Sequence, residues 1–229
     1  MKTSATAANP APTTGPRRTH AQAREEAIDQ ILDIATREFV EKGLAGARID
    51  EIAGHASKRK IYYYFGSKDE LYRAVLERAY HRMRDSESTL DPAEGTAPEA
   101  LRRMIEHDVA YHSQHPELVR LVMNENIHRA EHLTQIDSIR EKNEGVIGVL
   151  RSILDRGVAE GYFRAGVDPV ELHMTISALA FYNVSNQHTF SHNFGFDMSS
   201  PQAVARRATQ VADIILAWVA LTAPVTQGA

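Results

Sequence analysis

Apolar side chains recur at three- and four-residue steps along most of this chain. Over residues 24–42 they fall at Ile28, Ile31, Leu32, Ala35, Phe39 and Val40, one face of a helix that Gly43 brings to an end. A short second helix is predicted over 48–53, with Ile49, Ile52 and Ala53 inward. The turn "GHAS" then leads to Ser57, whose hydroxyl suits a helix N-cap. A third helix is predicted over 58–64, closed by Phe65-Gly66. Ser67 to Glu70 reads as a capping box opening a fourth helix over 68–86.

Residues 91–98, rich in Pro, Gly, Ala and Glu, form the natural domain boundary. Beyond it, helical patterns cover 99–114, 116–132, 136–157, 169–188 and 201–222, and Asp168-Pro169 and Ser200-Pro201 place a capping side chain before Pro at the first helical position. No stretch alternates with period two for long enough to make a strand, and there is no internal repeat. The fold class expected is all-α.

Composition narrows the function classes. The 229 residues are 43% hydrophobic, enough for a sizeable core, and there is no cysteine, which excludes a disulfide framework, a thiolate nucleophile and Cys-ligated zinc, and makes a reducing cytoplasm the expected location. The first sixteen residues lack the apolar run of a signal peptide and read as a disordered tail. The longest apolar stretch, 211–223, is interrupted by Asp213 and too short to cross a bilayer, so no membrane partner is expected. Net charge is −4 overall, but residues 1–80 carry 13 Lys/Arg against 11 Asp/Glu. The amino-terminal third is therefore the less acidic part.

Chemistry concentrates in "SKRKIYYYFGSKDEL". Lys58, Arg59 and Lys60 fill the first turn of the third helix, where the positive end of the helix dipole disfavours cations by about 0.3–1 kcal/mol each. An anion at that end reverses the sign, and DNA phosphate is the obvious one. The short turn before Ser57 implies two helices crossing steeply, as in a helix-turn-helix. Tyr62, Tyr63 and Tyr64 are about 100° apart around the helix, so they cannot all face the core, and an exposed phenol is a good phosphate donor. Lys68 adds a cation at the next helix start. The bland alternative is a solvated basic turn beside packed tyrosines.

The run over 24–80, above all "GLAGARIDEIA…SKRKIYYYFGSKDELYRAVLE", resembles the amino-terminal DNA-binding domain of the TetR family of transcriptional regulators. The resemblance implies a disordered tail over 1–23, a helix-turn-helix domain over 24–70, a connector helix over 71–90, and a helical effector-binding and dimerisation domain over 91–229. It implies that Lys58, Arg59 and Lys60 read a double-stranded operator, and that Tyr62, Tyr63, Tyr64 and Lys68 hold phosphates, with Arg48 beside them. Tyr64 stands where the family usually has histidine. Ala47 replaces the Ser or Thr that commonly caps the second helix, and "IAGHASKRK" is about two residues shorter than the family's usual spacing. Arg17 and Arg18 are either two solvated charges of the tail or an arm that reaches a minor groove.

Eight of the eleven histidines lie between His107 and His192. Leu118, Leu121, Val122, Glu125, His128 and His132 continue one stripe if a single helix spans 116–132. Polar groups on an inward face need partners, either other side chains or a ligand. The expected effector pocket therefore comprises Glu125 and His128 with Tyr111, His112 and His173. The alternatives are an all-α metal-binding protein or hydrolase using Glu125, His128 and His132, and a DNA-binding protein without effector. Ala208, Val211, Ile215, Trp218 and Val219 make a late apolar stripe, and the resemblance implies that two such helices from each chain form the bundle of a homodimer. No enzymatic activity, cofactor or resident metal is expected, and the ligand-responsive regulator is expected to be a repressor with an unknown small-molecule effector.

Overall fold

The computed structural model describes residues 19–55 and 57–221. The expected arm, Arg17 and Arg18, lies outside them, as does the tail up to residue 18. The first helix begins earlier than its apolar pattern: α1 spans His20–Gly46, because Thr19 and Gln22 form a capping box at 3.2 and 3.0 Å. Residues 20–23 are thus helical rather than tail. The helical path breaks inside α1 at Gly43 (φ 66°, ψ 174°), where the pattern stopped.

Next come α2 (Ile49–Ile52), a 3-10 turn (Ala53–His55), α3 (Lys58–Phe65) and α4 (Lys68–Glu87). Ala47 does not cap α2; its methyl is buried in the core, and the capping position falls on Arg48, which gives no side-chain cap. Glu38 of α1 compensates by accepting the Arg48 N–H at 3.2 Å and the Lys42 ammonium at 2.9 Å. Ser67 caps α4 through the Glu70 N–H at 3.1 Å, but the expected reciprocal bond is absent because Arg73 holds the Glu70 carboxylate.

The second body comprises α5 (Ala97–Gln114), α6 (Pro116–Ile127), a 3-10 turn (Leu133–Gln135), α7 (Asp137–Ala159), α8 (Pro169–Ser185), α9 (Gln187–Phe194) and α10 (Pro201–Val219). Two expectations are corrected here. The helix predicted to run to His132 ends at Ile127, since Arg129 and Ala130 adopt positive φ (58° and 59°) and the Ala130 N–H bonds back to the Glu125 carbonyl at 2.7 Å. The helix predicted to reach His188 stops at Ser185, and α9 follows as a separate short helix. Among the described residues there is no strand, only an isolated bridge between Phe163 and Ala220.

Two apolar cores result. One joins Ile31, Phe39, Ile52, Ile61, Leu71 and Val75 from α1 to α4, and it borrows Leu121 from α6. The other, built on Leu101, Ile105, Leu150, Ile153, Leu172, Val211 and Ile215, lies between α5, α7, α8 and α10. α4 belongs to the first core and also packs on α5 and α7 of the second body. Tyr72 there is fully buried, packs edge-on against Phe39 (5.0 Å), and accepts a hydrogen bond from Asn124 Nδ2 of α6 at 2.8 Å. Burial pushes its phenol up to about 12. Arg78, one and a half turns on, pairs with Asp33 at 2.9 Å and donates to the Asp29 carbonyl and Thr36, binding α4 to α1.

Two glycines of α7 provide a paired test of packing. A Cβ at Gly157 would lie 2.0 Å from the Phe163 ring, whereas one at Gly148 meets nothing within 4 Å. Chemical denaturation of Gly157→Ala should show a loss of about 2–3 kcal/mol from overpacking. Gly148→Ala should gain about 0.5–1 kcal/mol from helix propensity.

Candidate nucleic-acid interface and regulatory cavity

The sequence of α3 sorts its side chains by depth. Ile61 alone is fully buried; Lys58, Arg59 and Lys60 are exposed on the first turn, where Ser57 Oγ accepts the Lys60 N–H at 3.3 Å. Tyr62 and Tyr63 stand out at 50% and 79% exposure, which leaves both phenols available to a ligand surface. Tyr64 differs: it is half-buried, stacked edge-on between Tyr63 (5.2 Å) and Phe65 (6.5 Å), with the Arg24 guanidinium of α1 6.0 Å from its ring. Its position suits packing better than phosphate contact. Arg48 is exposed at the start of α2, and Lys68 is half-exposed at the start of α4.

The cations are not equally free. Lys58 is ion-paired with Asp50 of α2, both about half exposed. That pair links the two helices of the helix-turn-helix and masks one charge of the basic turn. Sequence spacing could not show this pairing, because Asp50 reads as an ordinary acidic residue in the first turn of α2, where the helix dipole favours it.

The five residues expected to line one pocket are dispersed. Tyr111 lies on the cleft shared by α1, α4 and α6, its ring stacked 4.2 Å from His115. His128 caps the end of α6, exposed, with Nδ1 on the Asn124 carbonyl at 2.9 Å, so it neither enters a pocket nor joins Glu125 and His132. Glu125 is buried and accepts the His132 and Leu133 N–H groups at 3.1 and 3.0 Å. The metal alternative is thereby corrected: among the described residues no group of three His, Cys, Asp or Glu is placed to hold an ion.

His112 and His173 do share an environment, one the stripe did not reveal. His112 of α5 lies 3.3 Å from the Asp108 carboxylate and 2.8 Å from the Asp108 carbonyl, all buried. Burial works against a charged His112, but Asp108 outweighs it and raises the imidazole above its ordinary value. His173 of α8 is held below its ordinary value, first by burial and then by Arg84. Arg84 and Glu87, in the last turn of α4, pair at 2.7 and 2.6 Å; burial nevertheless pushes the Glu87 carboxyl up. These two residues close the polar end of a cavity of about 420 Å³, whose apolar wall is Leu90, Pro92, Met104, Val146 and Val149. The connector's carboxy end was the missed signal. Arg84 and Glu87 sit three apart on its inner face.

Because the His112 proton is favoured by Asp108, its stabilising contribution is present at low pH and lost as pH rises through the raised folded value. Asp108→Asn should lower the His112 titration midpoint, read by NMR, and destabilise the protein more below about pH 6 than above about pH 8.

The chain was compared with known proteins. Residues 31–75 match the family model "Bacterial regulatory proteins, tetR family", and residues 98–215 match "Tetracyclin repressor-like, C-terminal domain". It is 33% identical over 198 residues to the HTH-type transcriptional repressor NicS of Pseudomonas putida, covering 86% of this chain and 93% of that protein. The crystal structure of the transcriptional regulator SCO4942 from Streptomyces coelicolor superposes with a TM-score of 0.63 at 25% identity, over 81% of this chain and 96% of that one. FadR from Bacillus subtilis, solved with stearoyl-CoA, has the same fold (TM-score 0.66, 18% identity, 83% and 98% covered).

Proposed function

Since the chain belongs to the TetR family of helix-turn-helix transcriptional regulators, we propose that it is a homodimeric repressor that leaves a palindromic operator when a small molecule occupies the cavity between α4, α5 and α7. The observation that carries this reading is the continuity of α4. Its first turn holds Lys68 beside the basic face of α3, and its last turn holds Arg84 and Glu87 in the cavity wall. A ligand that moves the last turn displaces the first, and with it the spacing of two recognition helices.

Arg59 and Lys60 are the residues we assign to base edges and phosphates, joined by Lys58 when phosphate displaces Asp50. Tyr62, Tyr63 and Lys68 are assigned to phosphates, with Arg48 at the flank. Tyr64 is better assigned to packing. The dimer face is assigned to α8 and α10, whose outer rows leave Val170, Met174, Tyr182, Ile214 and Trp218 uncovered in the single chain. The cavity favours an effector-bound regulator over a DNA-binding protein without one, and its largely apolar wall fits a mainly apolar ligand with a polar end.

Binding of the purified protein to the DNA flanking its own gene, followed across a salt series, tests the reading. Saturable, salt-steep binding is expected. Replacing Lys58, Arg59 and Lys60 together by alanine should weaken it at least about a hundredfold and flatten the salt slope by about 2–3 per half-site. Asp50→Asn should strengthen binding about threefold by unmasking Lys58. Wild-type protein that binds no DNA from its own locus at low salt would count against the operator assignment.

A further inference from the structure

His132 sits where the two bodies meet. It belongs to the loop after α6, and its ring stands edge-on to Tyr72, centroids 5.2 Å apart and planes at 90°. Its Nδ1 lies 3.5 Å from Glu125 Oε1, and its Nε2 lies 4.0 Å from Asp69 Oδ1 in the first turn of α4. Nδ1 and Glu125 Oε1 are both buried, and neither has a hydrogen-bond partner. The Glu125 side chain is only 3% exposed, and its other oxygen is taken by the two backbone N–H groups of the loop.

A neutral imidazole carries one N–H and can serve only one of these carboxylates. An imidazolium carries an N–H on both sides, so a single proton draws both carboxylates toward the ring. A metal ion would require a third ligand on the Nδ1 side, whereas Asp69 faces the opposite nitrogen. Other titratable groups face the site. The Tyr72 hydroxyl lies against Glu125, and Tyr80 of α4 also feels the Glu125 charge. On α4 the Glu70 and Arg73 side chains pair with each other, and Arg73 also reaches Gln135 of the same loop at 2.6 Å. On α1 Glu38 holds Lys42 and the Arg48 N–H and also feels the Lys68 charge, and Phe39 packs on Tyr72.

We propose that His132 is a positioning residue for DNA binding: its protonation closes a tie between Glu125 of the regulatory body and Asp69 beside Lys68, and so presents the amino end of α4 to phosphate. The proposal rests on the DNA-binding reading given above. Its sign follows from charge. A proton on His132 adds a positive charge and offsets the Asp69 carboxylate next to Lys68, so operator binding tightens as pH falls.

The test compares operator affinity at about pH 6 and about pH 8, at constant ionic strength, for the wild type, His132→Gln, Glu125→Gln and Asp69→Asn. The wild type should bind about threefold more tightly at the lower pH, beyond any change seen in His132→Gln. Asp69→Asn removes the carboxylate that the proton would offset, so it should lose most of the pH dependence. Glu125→Gln keeps an acceptor for the loop N–H groups, so it tests the charge without removing the loop's anchor, and it should show a reduced pH dependence. A His132→Gln protein with the wild-type pH dependence overturns the proposal. An NMR titration of the free protein separates the tie from the operator assignment. The Asp69 and Leu133 amide signals should move together with the His132 imidazole in the wild type, and this coupling should be lost in Glu125→Gln. Amides that ignore the imidazole overturn the tie even if DNA binding is firm; coupled amides in a protein that binds no operator retain the tie and overturn its role in DNA binding.

Discussion

The hydrogen bond from Asn124 to the Tyr72 hydroxyl is the contact on which the two bodies depend. A phenol this deep cannot keep its hydroxyl without a partner, because leaving a buried donor or acceptor unmet costs about 1–3 kcal/mol. The partner comes from α6, which otherwise belongs to the other body, so the amino-terminal core is complete only when α6 lies against it. Gly43 lies beside Asn124 with room for a methyl, so it is the positive φ at the break in α1 that calls for glycine there.

The connector α4 then becomes a shared wall rather than a linker. Its first half is core for the DNA-facing helices through Leu71, Tyr72, Val75 and Leu76. Its second half lines the cavity through Arg84 and Glu87, and it is held to α7 by Lys142 on Asp85 and by Ser138 on Glu77. α4 contains neither Pro nor Gly and runs unbroken from Lys68 to Glu87, which is what the proposed coupling between cavity and DNA face requires of it.

Much of this was legible in the sequence, and what was not has definite causes. The helices announced themselves by period, and Ser57, Ser67, Asp168 and Ser200 cap as their positions suggest. The start of α1 was missed because Thr19 and Gln22 precede any apolar residue of the pattern. The end of α6 was missed because Arg129 and Ala130 carry no glycine to mark a positive φ, so His128 and His132 were read onto a helix that had already stopped. The residues expected to share one pocket are therefore dispersed. The cavity under α4 is lined instead by Arg84 and Glu87, residues whose burial depends on which helices pack together and not on local spacing.

With α3 as the recognition helix proposed above, the ion pair between Lys58 and Asp50 bears on how this protein finds a site among many. In the free chain the recognition helix meets random DNA with one of its three leading cations already occupied by its own carboxylate. Non-specific affinity is almost wholly a matter of cations against phosphates, so the pair shortens the time spent on each wrong stretch. Only a backbone that brings a phosphate close to Lys58, in register with the other contacts, displaces Asp50. The carboxylate therefore acts as a competitor built into the reader, trading some grip on any DNA for a faster scan of all of it.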